Sequence, residues 1–235
     1  MVNEFDPYAS KYREVINSAC CASGEDYDFF IRFRVERIKR KLIESGTSIN
    51  NLRIFDLGCG IGVAERILRE QFNDAIIFAA DPSSESIAEA RRQGLSGIEF
   101  ICASGEELPL DDHSIDLIYS NGVFHHAPPE NRSAVLRELC RILKPGGQVF
   151  ISENNPANPL MMQAMAKNPF DLNTRAIRPG DLAALVSESG FSCVKVFYYF
   201  WFPHWLRFLR WSESVLEWVP FGAQYFVWAK RVNIK

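Results

Sequence analysis

Leu52-Arg53-Ile54-Phe55-Asp56-Leu57-Gly58-Cys59-Gly60-Ile61-Gly62 is the stretch on which the reading of this chain turns. A β-rich run over 52–56 enters a turn with glycine at three alternate positions, and a helical pattern over 63–71 starts at once. Backbone without Cβ atoms lets a ligand come close, and the helix N-terminus behind it offers unpaired N–H groups and a partial positive charge. In a parallel sheet such a turn lies at the carboxyl edge, where ligands bind. A dinucleotide fingerprint would need its third glycine where Val63 stands, which argues against NAD.

Working outward, β-rich runs at 75–80, 98–102, 115–120 and 148–152 alternate with helical patterns at 84–93 and 131–143, the signature of a parallel sheet wrapped by helices. The helix over 131–143 spaces Val135, Leu136, Leu139, Ile142 and Leu143 on one face, and Lys144-Pro145-Gly146-Gly147 is a stop signal. Two further runs, 192–200 and 225–232, suit an antiparallel pair at the end of the sheet.

The second run ends in Ala80-Asp81-Pro82, with Asp81 placed 19 residues beyond Gly62. A carboxylate at that strand end can accept hydrogen bonds from both hydroxyls of a ribose, so a nucleoside-containing cofactor fits. Further on come Ala103-Ser104-Gly105-Glu106-Glu107-Leu108-Pro109-Leu110, then Ser114 through His126, then Leu139 to Gly147. Over 53–153 these segments follow, in order and spacing, the pattern of class I S-adenosylmethionine-dependent methyltransferases, which the chain resembles. The resemblance implies a Rossmann-like α/β sandwich with a mixed seven-stranded sheet and an antiparallel final strand. It also implies S-adenosyl-L-methionine as cofactor. By the same analogy Ser104, Gly105 and Glu106 face the adenine, Asp81 the ribose, and the glycine turn (Asp56, Gly58, Gly60 and Gly62) with Asn121 the methionine part; Pro82 and Ser120 are further cofactor contacts. Ser104 stands where the family commonly carries an acidic residue; a hydroxyl accepts without charge assistance, and Glu106 is a substitute. Ser104 also keeps open a non-catalytic cofactor-binding subunit, as the glycine turn keeps open an NAD-dependent oxidoreductase.

Methyl transfer from a sulfonium is an in-line displacement that needs alignment above all, and a hydroxyl acceptor adds the need for a base. Imidazole titrates in the right range. His125 and His126 fall on the loop after the fourth parallel strand, and Glu153 at the end of the fifth; these three are the catalytic candidates, each with a purely packing or capping reading beside it. His204 and His113 are weaker candidates. No metal-ligand spacing is present, and the six cysteines are expected to be reduced thiols.

The flanks divide the chain into an N-terminal helical lid over 1–50, in which Tyr8, Tyr12 and Arg34 could close over the cofactor, and a catalytic domain over 51–235. Within it, 154–180 is rich in proline and asparagine and reads as an insertion over the site, with a short helix at 160–166. The basic run 37–41 reads as a solvated face. The aromatic segment Phe197-Tyr198-Tyr199-Phe200-Trp201-Phe202-Pro203-His204-Trp205 has two readings. One is core strand and packed shoulder. The other is the lining for an apolar or lipid-linked acceptor, with Trp205, Leu206, Phe208, Leu209 and Trp211 resting on a membrane surface beside Arg207 and Arg210.

Composition sets the outer bounds. The 235 residues are 47% hydrophobic and 23% charged, enough to bury a core, and the formal charge of −3 provides no basic field for nucleic acid. Glu4 and Asp6 stand where a secretory signal would be basic, and the most apolar segment, 196–206, is too short to span a bilayer. A cytoplasmic enzyme acting on a small-molecule acceptor is the expectation.

Overall fold

The computed structural model describes residues 12–20 and 23–232; Tyr8 and Cys21, like Glu4 and Asp6, lie outside the described residues. The β-rich runs form β1 (Arg53–Leu57), β2 (Ile76–Asp81), β3 (Ile98–Cys102), β4 (Ile115–Asn121), β5 (Leu143–Asn154), β6 (Phe191–Tyr199) and β7 (Gln224–Arg231). They pair into one sheet in the order β3-β2-β1-β4-β5-β7-β6. The contacts among β1 to β5 are parallel, whereas β7 pairs antiparallel with both β5 and β6. The chain builds outward from β1 to β2 and β3, then crosses to β4 on the other side. This places the switch point between the carboxyl ends of β1 and β4, at Leu57 and Asn121.

Strand alternation sorts the core into two layers. Phe55, Leu57, Ile118, Val149 and Ile151 face one side. There they meet Leu136, Leu139 and Ile142 of α5 (Arg132–Ile142) and Leu182 and Val186 of α7 (Pro179–Glu188). Ile54, Leu117, Tyr119 and Phe150 face the other side, against α2 (Tyr27–Glu44) and α3 (Val63–Gln71). The period-2 alternation of strands and the apolar stripe of each helix are the cause of both layers. A smaller cluster joins Ala79 and Phe100 to Ile87 and Ala90 of α4 (Ser84–Arg92).

Two expectations are corrected by this packing. The helix α2 is no lid: Ile31, Val35, Ile38 and Leu42 are fully buried against the sheet, so among the described residues of this segment a roof's position falls to α1 (Tyr12–Cys20). The run 37–41 is not solvated throughout, because Arg37 pairs with Glu213 at 3.5 Å and Glu217 at 3.6 Å, and Lys41 with Glu217 at 2.7 Å. The Lys144 to Gly147 stop ends α5 at Ile142, as expected, and is itself drawn into β5 as an irregularity: Ile115 pairs with Leu143, but the next partners are Leu117 and Gln148. The insertion forms α6 (Pro159–Lys167) and a 3-10 turn, Pro169–Asp171.

Candidate active site

The glycine turn and Asp81 form one hydrogen-bonded unit. Gly58 N and Cys59 N both donate to Ala80 O, at 2.7 and 3.0 Å, which ties the turn to the end of β2. Gly60 N then donates to Asp81 Oδ2 at 2.9 Å, while Ser83 N donates to Oδ1 at 2.9 Å. The carboxylate is thereby fixed by backbone donors of the turn and of the start of α4. Gly58 has φ +79°, and a Cβ there would lie 2.2 Å from Val123 Cγ2 in the loop after β4. At Gly60, φ is +53° and a Cβ would meet no atom within 4 Å, so this backbone borders open space.

That space is a cavity of about 1460 Å³. Of the cofactor candidates, Gly58, Gly60, Asp81, Pro82, Ser104, Glu106 and Asn121 line it. Asp56, Gly62, Gly105 and Ser120 do not, for separate reasons. Gly105 is covered by Leu57 and Val135, and Gly62 caps α3 against Ala90 and Phe100. Ser120 is fully buried within β4. Asp56 lies beneath the turn beside Glu65, both buried. Desolvation pushes both carboxyls up, Glu65 to about 7; the Glu65 charge raises Asp56 further, while a hydrogen bond from Asp56 tempers the rise of Glu65, so the pair retains a proton near neutrality.

Arg34 of α2 donates through Nε and Nη2 to Gln224 Oε1 at 3.2 and 2.7 Å, and it lines the cavity. Its Nη1 is buried with no hydrogen-bond partner among the described residues. A buried guanidinium N–H without a partner suits an anionic ligand group such as a carboxylate. Above it, the Tyr12 ring stacks on Phe170 at 5.0 Å and stands edge-on to Tyr27 at 6.3 Å, joining α1 to the insertion and to α2. Glu106 is held by Asn131 Nδ2 at 2.8 Å.

The three catalytic candidates converge on the cavity with a fourth residue, Asp171. Glu153 accepts from Phe124 N at 2.8 Å through Oε1 and lies 2.5 Å from His125 Nδ1 through Oε2. His125 Nε2 lies 3.1 Å from Asp171 Oδ1, and Asn168 Nδ2 donates to Asp171 Oδ2 at 2.7 Å. Burial opposes charge on His125, but the Glu153 and Asp171 carboxylates outweigh it and push the imidazole up to about 10. Burial likewise opposes the Asp171 charge, and hydrogen bonds from His125 and His126 hold that carboxyl well below its usual range. A pKa pushed up to about 10 keeps the proton on His125 at neutral pH, with both ring nitrogens engaged by carboxylates, which sets it apart from the neutral imidazole that a base requires. His126 is placed differently: its Nε2 is 3.4 Å from Asp171 Oδ1, and its ring lines the cavity.

Asp171 was not legible in the sequence. It sits in an aperiodic stretch, and only the Asn168-Pro169 start of its 3-10 turn marks the place. His113 lies outside the cavity in the turn before β4, and His204 is tied to Glu25 at 2.8 Å and Arg207 at 2.8 Å. The five cysteines among the described residues carry no disulfide.

Comparison with known proteins agrees with this architecture. Residues 55–151 match the family described as a methyltransferase domain. The malonyl-(acyl-carrier protein) O-methyltransferase of Marinomonas sp. is 30% identical over 151 residues, 63% of this chain and 54% of that protein. The demethylmenaquinone methyltransferase of Clavibacter sepedonicus is 36% identical over 142 residues, 58% of this chain and 53% of that protein. The chain thus spans about half the length of the curated relatives it matches. A solved S-adenosylmethionine-dependent methyltransferase from Thermotoga maritima shares the fold, with a TM-score of 0.68 at 19% identity over 97% of both chains.

Proposed function

We propose, from the premise that this chain carries the methyltransferase domain of the class I S-adenosylmethionine-dependent family, that it methylates an oxygen atom of an apolar small-molecule acceptor. The observation that carries the reading is the Gly60–Asp81 unit opening onto the same cavity as the partnerless Nη1 of Arg34. These groups match the two ends of the cofactor: Asp81 would hold the ribose hydroxyls, the bare backbone of Gly60 would lie along the chain joining the ends, and Arg34 would take the carboxylate. Ser104 and Glu106 would border the adenine. S-adenosylmethionine supplies the electrophile, a methyl group on a sulfonium sulfur.

On the acceptor side Phe29, Phe30, Met161, Met165, Phe200 and Trp201 line the cavity, which favours an apolar body on the acceptor. His126 would take the acceptor's proton, and the adjacent Asp171 carboxylate would stabilise the imidazolium that forms. Glu153, His125 and Asp171 form a charged, hydrogen-bonded floor that keeps Asp171 in place for that role. Tyr12 and α6 would form the roof that excludes water. Two relatives whose names specify transfer to an acyl carrier-bound acid and to a quinone are in keeping with small acceptors of this kind.

Titration calorimetry with S-adenosylhomocysteine and with NADH tests the reading. Saturable binding of the former and none of the latter at equal concentration is expected. NADH binding without a response to S-adenosylhomocysteine would replace the proposal with a hydride-transfer enzyme.

A further inference from the structure

The aromatic C-terminal segment changes character at Pro203. Before it, Tyr199 is buried with its hydroxyl donating to Ser152 Oγ at 2.8 Å, and the Phe200 ring packs 4.7 Å from both Phe30 and Phe33 of α2. Beyond it the chain forms a 3-10 helix, His204–Ser212, and a short α8, Glu213–Leu216. Trp205, Phe208 and Trp211 stand three apart along the 3-10 helix, and Val215, Trp218 and Phe221 continue the run through α8 and the turns after it. All six point outward, with exposures from 60% at Phe221 to 77% at Trp211. The packed-shoulder reading therefore holds up to Phe200 and fails from Trp205.

Water is a poor solvent for such a stripe, and single-chain surfaces rarely carry one without a partner. The charges of the segment indicate which partner. Both of its acids turn inward: Glu213 is buried beside Arg37, and Glu217 is held by Lys41 and Arg37. Arg210 also turns inward, pairing with Glu25 at 2.8 Å and lying over the Phe29 ring at 4.6 Å. The other exposed positions between 204 and 221 are Arg207, Ser214 and Pro220, so the outer face presents tryptophan, phenylalanine and one cation with no carboxylate.

We infer that this face docks on a lipid bilayer, lying flat in the headgroup region. Tryptophan and phenylalanine with arginine are the side chains that favour that layer, and the inward pairing of both acids removes the charge that anionic headgroups would repel. A second copy of the chain fits less well, since the exposed Arg207 of each copy would find no exposed acid in the stripe to receive it. The stripe also runs into the cavity: Trp201, Phe202 and Pro203, immediately before it, line the wall, and Leu160 of α6, 75% exposed, stands on the cavity rim. An acceptor held in the membrane by an apolar tail could thus pass to the site without crossing bulk water. That last step rests on the proposed methyl transfer; the docking itself does not.

The test is flotation of the whole protein with vesicles of phosphatidylcholine, with and without phosphatidylglycerol, alongside tryptophan emission. Wild-type protein is expected to float with vesicles and shift its emission to the blue, more strongly when phosphatidylglycerol is present. The triple variant Trp205→Ser, Phe208→Ser, Trp211→Ser should lose at least about tenfold in partitioning. Its S-adenosylhomocysteine affinity, measured on the same preparation, should match wild type, since none of the three lines the cavity. Wild-type protein that stays with the aqueous phase, or a triple variant that floats equally well, overturns the inference. A wild-type dimer in sedimentation that the triple variant dissolves, without vesicle binding, would assign the face to a second copy instead. Failure of S-adenosylhomocysteine binding in wild type would remove the methyl-transfer reading and leave the vesicle result to stand alone.

Discussion

Glu153 Oε2 lies 2.5 Å from His125 Nδ1, and this buried contact separates the roles of two adjacent histidines. His125 is held between carboxylates on both sides, at 2.5 and 3.1 Å, whereas its neighbour His126 meets the Asp171 carboxylate at 3.4 Å. The same arrangement explains why a base cannot be chosen from the His-His pair by position alone.

The histidines should therefore fail in different ways. His126→Ala is expected to lower single-turnover methyl transfer by about 10²–10⁴-fold with S-adenosylhomocysteine affinity unchanged. His125→Ala should act on the fold, costing about 3–5 kcal/mol in denaturant unfolding because Glu153 and Asp171 are left as uncompensated buried charges. Equal losses of rate in two equally stable variants would contradict this division.

Stability should fall in alkali through His125. Its folded pKa, about 10, stands above the ordinary 6.5. The native state thus binds more protons than the unfolded chain between those values, and the contribution is complete below about 6.5 and fades as pH rises towards about 10. Urea unfolding at pH 6, 8 and 10 should trace that decline, and His125→Gln should flatten it. Parallel curves for the two proteins would show that this imidazole is not the source.

A second pH effect comes from beneath the glycine turn. Burial raises Glu65 from 4.5 to about 7, so ionising it costs native stability, and stability should drop as pH rises through that window. Glu65→Gln keeps the shape and removes the titration. The variant should be as stable as wild type near pH 5 and more stable than it at pH 8, as read from thermal unfolding in matched buffers.

Cofactor binding can be dissected by ligand. Gly60→Val should weaken S-adenosylhomocysteine binding most, because the new side chain projects into the open cavity from a backbone with φ +53°. Asp81→Ala should cost about 1.5–3 kcal/mol for each charged hydrogen bond lost. Arg34→Lys keeps the charge but loses the planar fork, so it should weaken S-adenosylhomocysteine while leaving methylthioadenosine, which lacks the carboxylate, unaffected. Calorimetry with both ligands checks all three, and an equal loss for both ligands in Arg34→Lys would move that residue away from the carboxylate.

The sequence by itself determined the architecture around β1. A strand that enters alternate glycines, a helix of one apolar face, and an acid at the next strand end are local patterns set by backbone sterics and side-chain period, so 63–71 is a helix in both readings and Asp81 meets the turn as its spacing implied. Burial and pairing are different in kind, because they depend on neighbours that the chain brings from far away. His125 meets Glu153 across 28 positions and Asp171 across 46, and Arg37 and Lys41 find Glu213 and Glu217 from the opposite end of the chain. A His-His pair, a basic run and an aromatic tail each carry two readings until those partners are in place. Tertiary structure alone decided that His125 is clamped between Glu153 and Asp171, that the basic run is paired, and that the tail is core up to Phe200 and surface from Trp205.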